Sequence, residues 1–220
     1  VVDADGTPLN TKRFSLADAR QPYDLTRRRA RMVLVIGTSM NSGKSTAAIT
    51  CCWALSSMGH RVRACKVTGT ASLKDILHMQ DGGARPVADF SYLGHPSTHM
   101  LPEDEVLGIF QRLDGRFGNN PANFWVVEIA GGLLQRETAM LLSSPVVRQR
   151  LHRLVFTATD TVAAIGGIRV LRERFGLVPD AISGLCAASS LGGRELREFT
   201  DTPVFNSRDR DLRQLCDLLL

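Results

Sequence analysis

Residues 32–46 read MVLVIGTSMNSGKST, and no other stretch narrows the possible folds so far. The apolar run 32–36 is too short, and too tightly bounded by glycine, to make a stable helix, so it reads as a fully buried strand. A glycine turn from Gly37 to Gly43 follows, and a helical stretch then runs over 45–58 and stops at Gly59. Strand, glycine turn and helix start, in that order, is what phosphate binding requires. Backbone N–H groups curl around the anion, and the helix N-terminus adds partial positive charge. Gly43 lets the backbone approach phosphate oxygens, Lys44 can neutralise the β and γ phosphates, and the Ser45 hydroxyl can ligate Mg²⁺. The usual pattern, G-x-x-x-x-G-K-[ST], has four residues between its glycines. Here Thr38, Ser39, Met40, Asn41 and Ser42 make five, and the expected cradle extends through Thr46.

Short β-branched runs alternate with longer helical stretches along the rest of the chain. Strands are expected at 61–67, 124–128, 154–158, 181–187 and 203–205, and helices at 145–152, 160–175, 191–199 and 209–219. Pro145 suits a first helical turn, and Asp160 or Thr161 an N-cap. This alternation implies an α/β fold: a doubly wound, mainly parallel sheet with helices on both faces and ligands at the carboxyl ends of the strands. Residues 69–123, rich in Gly, Pro, His and Asp, break the rhythm and read as a functional loop region. The polar stretch 1–31, with turns at Asp5-Gly6-Thr7-Pro8 and Arg20-Gln21-Pro22, reads as a linker or the remnant of an upstream domain. Residues 32–220 then form the nucleotide-binding domain.

The 220 residues, 44% hydrophobic and 22% charged, are enough for one substantial core. Twenty-seven Lys and Arg against 22 Asp and Glu leave a net charge of +5. Its one dense cluster, Arg27-Arg28-Arg29-Ala30-Arg31, has no interleaved aromatic residues for base stacking, so nucleic acid is not the expected partner. Five cysteines without paired C-x-x-C spacing argue for reduced thiols in a cytoplasmic protein, against both a zinc site and a disulfide framework. No apolar run is long enough to span a membrane, and the amino terminus has no signal-peptide design.

The spelling G-T-x-x-x-x-G-K-[ST] resembles that of dethiobiotin synthetase and its relatives, including the amidating synthases of the cobalamin pathway. Lys66-Val67-Thr68-Gly69 resembles the family's K-P-V-x-x-G segment without its Pro. Val126-Val127-Glu128-Ile129-Ala130-Gly131-Gly132 resembles V-E-G-A-G-G, with Ile129 in place of the first Gly. The resemblance covers about residues 32–206 and implies a P-loop NTPase fold, Rossmann-like and three-layered. It implies Mg²⁺ held by Ser45, Glu128 and a second carboxylate, for which Asp81 and Asp89 are both candidates. It also implies a small anionic substrate near Lys66, Thr68, Gly69, Thr70 and Gly131, with Lys44 and Lys66 as the catalytic lysines. Separately, the histidines of Gly94-His95-Pro96-Ser97-Thr98-His99 have the chemistry to bind an anionic substrate or shuttle protons, and His95 is the candidate. Asn206 is a candidate for the nucleotide base. The family's usual base-reading asparagine is absent after Gly184-Leu185-Cys186, so ATP and GTP both remain open.

The activity these residues imply is that of a Mg-ATP-dependent ligase that activates a carboxylate or carbamate by phosphoryl transfer. The alternative is a dimerising nucleotide switch of the partitioning type, which recruits a partner. Such switches carry an additional lysine early in the loop, where this chain has Thr38-Ser39-Met40. A homodimer is expected under either reading.

Overall fold

The chain is described here from a computed structural model that covers residues 2, 4–8 and 26–220. The Arg20-Gln21-Pro22 turn lies outside these residues, whereas Val2 and Pro8 form an antiparallel bridge across the turn at Gly6. Six parallel strands form one sheet in the order β3-β2-β4-β1-β5-β6. They are β1 (Arg31–Gly37), β2 (Val62–Lys66), β3 (Val87–Asp89), β4 (Phe124–Glu128), β5 (Leu151–Ala158) and β6 (Ala181–Gly184). The helices are α1 (Lys44–Ser57), α2 (Leu73–Asp81), α3 (Glu103–Phe117), α4 (Arg136–Ser143), α5 (Pro145–Arg148), α6 (Thr161–Phe175), α7 (Ser190–Phe199) and α8 (Leu212–Leu219).

β1 shows why the sheet is covered on both faces. Successive side chains of a strand point to opposite sides. Accordingly Met32, Leu34 and Ile36 pack with Phe110, Leu141 and Leu171 of α3, α4 and α6, while Val33 and Val35 pack with Ala48, Cys52 and Leu215 of α1 and α8. A strand apolar on both faces must lie inside a three-layer sandwich, the doubly wound α/β arrangement expected from the alternation. All five cysteines are free thiols. Burial pushes the Cys51 thiol up to about 12, which makes it an inert small core residue. Among the described residues no helix is long and apolar enough to cross a membrane.

Several boundaries differ from those read in the sequence. The segment 69–123 contains two helices and a strand rather than one long loop. Its Gly and Pro residues lie between these elements, and the helices carry their own start signals: Asp75 in the first turn of α2, and Glu103, Asp104 and Glu105 in the first turn of α3. α5 stops at Arg148, and β5 starts at Leu151, so His152 belongs to the strand. β6 ends at Gly184 and tightens into a 3-10 turn, Leu185–Ala187. Residues 203–205 contribute only the parallel bridge Ile182↔Val204 rather than a seventh strand.

Part of the arginine cluster is structural. Arg29 Nη1 lies 3.6 Å from Asp114, and the Arg31 guanidinium sits 3.8 Å above the Phe124 ring. Asp114 is fully buried in α3, where Arg150 grips it with two bonds of 2.9 and 3.0 Å and also donates to the Ala30 carbonyl. Removing one partner of a buried, bidentate pair leaves the other charge uncompensated. Asp114→Ala is therefore expected to cost about 3–5 kcal/mol of stability in urea unfolding. A loss below about 1 kcal/mol would mean that water replaces the carboxylate at no net cost.

Candidate nucleotide and substrate site

The loop between β1 and α1 is held from behind by the ends of two neighbouring strands. Ser42 Oγ and Thr157 Oγ1, both buried, lie 2.9 Å apart, and Thr157 Oγ1 also donates to the Ile36 carbonyl at 3.2 Å. The Leu185 N–H donates to the Ser42 carbonyl, and Thr38 N–H to the Thr157 carbonyl. Gly43, at φ +100°, sits against Gly184, so a methyl group on Gly43 would come within 2.8 Å of the Gly184 Cα. Gly37, Thr38, Ser39 and Ser42 form the back of the loop, while Met40, Asn41, Gly43, Lys44, Ser45 and Thr46 line a cavity in front of it of about 660 Å³.

Lys44 folds over its own loop and donates to the Ser39 carbonyl at 2.7 Å. Burial lowers its pKa, Glu128 raises it in part, and Lys66 lowers it further. Ser45 Oγ donates to Glu128 Oε1 at 3.1 Å, and Glu128 Oε2 is buried without a hydrogen-bond partner. A hydroxyl beside a carboxylate with an unused buried oxygen is a hard-oxygen donor set that fits Mg²⁺. Among the described residues no group of three or more His, Cys, Asp or Glu is arranged to hold a metal. A cation here would rest on Ser45, Glu128, ligand phosphate oxygens and water.

Parallel register carries Lys66 to the same edge. Lys66 pairs with Glu128 of β4 on one side and Asp89 of β3 on the other. The Lys66 ammonium donates to Asp75, in the first turn of α2. Thr68 exchanges hydrogen bonds with the Ala130 backbone, and Gly69 N–H donates to Thr98 Oγ1 at 2.8 Å. Thr68, Gly69, Thr70 and Gly131 all line the cavity.

The remaining candidates from the sequence lie elsewhere. Asp81 is exposed at the far end of α2, because five residues of helix separate it from Asp75 at the cavity. Asp89 reaches the right edge of the sheet but turns away: its carboxylate accepts from the Ser91 N–H and hydroxyl, capping the 3-10 turn Phe90–Leu93. His95 is buried with Nδ1 3.8 Å from Glu105, and His99 faces the cavity instead. Asn206 spends its side chain locally, donating to Asp209 and accepting from the Arg208 N–H, outside the cavity lining. Asp75, Thr98, Gln135 and Glu137 line the cavity without having been singled out in the sequence. For Asp75 a signal existed: Leu73, Ile76 and Leu77 have helical spacing, which places Asp75 in a first turn.

No protein-family model matches the chain, and no curated protein matches it. Solved structures do share its fold. HypB from Helicobacter pylori in complex with nickel is 14% identical, with 86% of this chain and 83% of that one covered at a TM-score of 0.50. The signal recognition particle receptor FtsY from Elizabethkingia anophelis in complex with GDP is 10% identical, with 95% and 69% covered at 0.51. A DUF1611 family protein from Anabaena variabilis is 19% identical at 0.55, with 87% of this chain covered; the chain spans 58% of that protein. With these neighbours the fold is that of the P-loop NTPases.

Burial pushes the Glu128 carboxyl above its usual range, and Lys66, the Ser45 hydroxyl and Lys44 pull it back only in part. A raised folded-state pKa means that the native protein holds this proton more tightly than the unfolded chain. The associated stability is present below the ordinary carboxylate pKa and is lost as pH rises through the folded value. Without metal or nucleotide, Glu128→Gln is expected to raise Tm at about pH 7 and leave it unchanged at about pH 4. Thermal unfolding at both pH values checks this. A variant no more stable than the parent at the higher pH would mean that the two lysines outweigh burial.

Proposed function

We propose that this chain binds a Mg²⁺–nucleoside triphosphate in its 37–46 loop and transfers the terminal phosphoryl group to a small carboxylate or carbamate held at Lys66. The supporting observation is that one cavity, of a size typical for small-molecule sites, runs from the loop past Glu128 to the buried ammonium of Lys66. A phosphate-binding loop has its own lysine, so a second buried lysine beyond it suits the group that receives the phosphoryl. In this reading a substrate oxygen attacks the γ phosphorus, the bond to the β-phosphate oxygen breaks, and the nucleoside diphosphate leaves. The acyl phosphate formed is open to attack by an amine, with inorganic phosphate as the leaving group. Mg²⁺ would offset charge on the transferring group. The chain's own residues do the positioning: Lys44 and the loop backbone hold the phosphates, Glu128 and Ser45 face the cation, and Lys66 orients the acceptor.

The FtsY neighbour was solved with GDP, so GTP belongs beside ATP in the test. Phosphate release is measured with each nucleotide, Mg²⁺ and a panel of carboxylates, carbamates and amines. Lys44→Ala is expected to weaken nucleotide binding by roughly 10–100-fold. Lys66→Ala is expected to leave nucleotide affinity within about 3-fold and to lower substrate-stimulated release by roughly 100-fold. Absence of stimulated release across the panel, with nucleotide bound, would overturn the transfer reading while leaving nucleotide binding intact.

A further inference from the structure

Among the described residues, both lysines that line the cavity already have partners. Lys66 is paired with Asp75, in an environment where the two side chains are only 8% and 23% exposed. Lys44 is committed to the Ser39 carbonyl, and Glu137, on the cavity wall, accepts from the Met100 N–H at 2.8 Å with Arg136 3.5 Å away. An anion that reaches Lys66 therefore competes with Asp75 for the ammonium, and full engagement displaces Asp75. That would strand a mostly buried carboxylate close enough to repel Glu128, whose Oε2 is itself buried and unpartnered. Removing one partner of a secluded ion pair is strongly unfavourable unless a new counter-charge arrives. A divalent cation at the Ser45–Glu128 edge would supply that counter-charge to both carboxylates.

We propose that Asp75 is a positioning residue that exchanges partners, holding Lys66 when no divalent cation is present and turning to the cation when it enters with the nucleotide. The Lys66 ammonium then becomes available to the substrate's anionic group only after the metal–nucleotide is in place. Binding is ordered by electrostatics: cation and nucleotide first, acceptor second. The consequence is protection of the site from adventitious anions while the loop is empty. This rests on the proposed nucleotide site for the source of its cation, but the Asp75–Lys66 pair can be tested without it.

The probe is inorganic phosphate, titrated by calorimetry into the full chain in EDTA, with and without saturating ADP, and again with Mg²⁺ and ADP. In EDTA, Asp75→Asn is expected to bind phosphate about ten-fold more tightly than the parent, because Lys66 is no longer occupied. Asp75→Glu, which keeps the carboxylate, is expected to stay as weak as the parent. The double variant Lys66→Met/Asp75→Asn is expected to lose the gain. With Mg²⁺ and ADP, the parent is expected to come within about 3-fold of Asp75→Asn. A tighter-binding variant is not what damage to the fold produces. Equal phosphate affinity of the parent and Asp75→Asn in EDTA, or a gain that survives loss of Lys66, would overturn the exchange. Failure of ADP to bind would instead overturn the nucleotide reading, while the nucleotide-free arm still reports on the pair.

Discussion

Glu128 ends a central strand with a carboxylate that is 2% exposed and has one oxygen without a partner. Its position follows from the sheet itself, since β4 lies between β1 and β2 and its carboxyl end opens into the cavity. The surrounding charges are arranged around it: Ser45 donates to it, Lys44 and Lys66 pull on its proton, and Asp75 pushes against it. Burial disfavours the ionised form of this carboxyl, because a charge with unmet hydrogen-bonding capacity is held out of water. A buried group that stores such a cost is better suited to a ligand than to the resting fold.

The loop is braced from its buried side by the hydroxyl pair Ser42–Thr157 and by the backbone contact with the β6 corner, where Gly43 and Gly184 meet at a distance that leaves no room for a side chain. The front of the loop is then free to present Lys44 and Ser45. Two strands that contribute no group to the cavity-facing surface of the loop still brace it.

Much of the layout was legible in the sequence because it rests on short-range rules. The run 32–36, the glycine turn and the Lys44-Ser45 helix start are contiguous, and so is the Phe124–Glu128 strand with its terminal acid. What was misread depends on separating a local irregularity from a structural one. Glycines and prolines in 69–123 mark the joints between α2, β3 and α3, yet taken together they resemble a single long loop. The two candidates for a second carboxylate, Asp81 near glycines and Asp89 at a strand end, do not line the cavity. Helical rotation carries Asp81 out to solvent, and Ser91 captures Asp89.

The sequence by itself determined the class of fold and the glycine turn between the first strand and its helix, since hydrophobic period and glycine placement are written within a dozen residues. It also supplied Lys66 and Glu128 as strand-end charges. Only the tertiary structure decided which acid meets Lys66, which histidine faces the cavity, and what braces the loop. Those contacts join residues 9 to 115 positions apart. They depend on strand order and helix rotation, which no local pattern encodes.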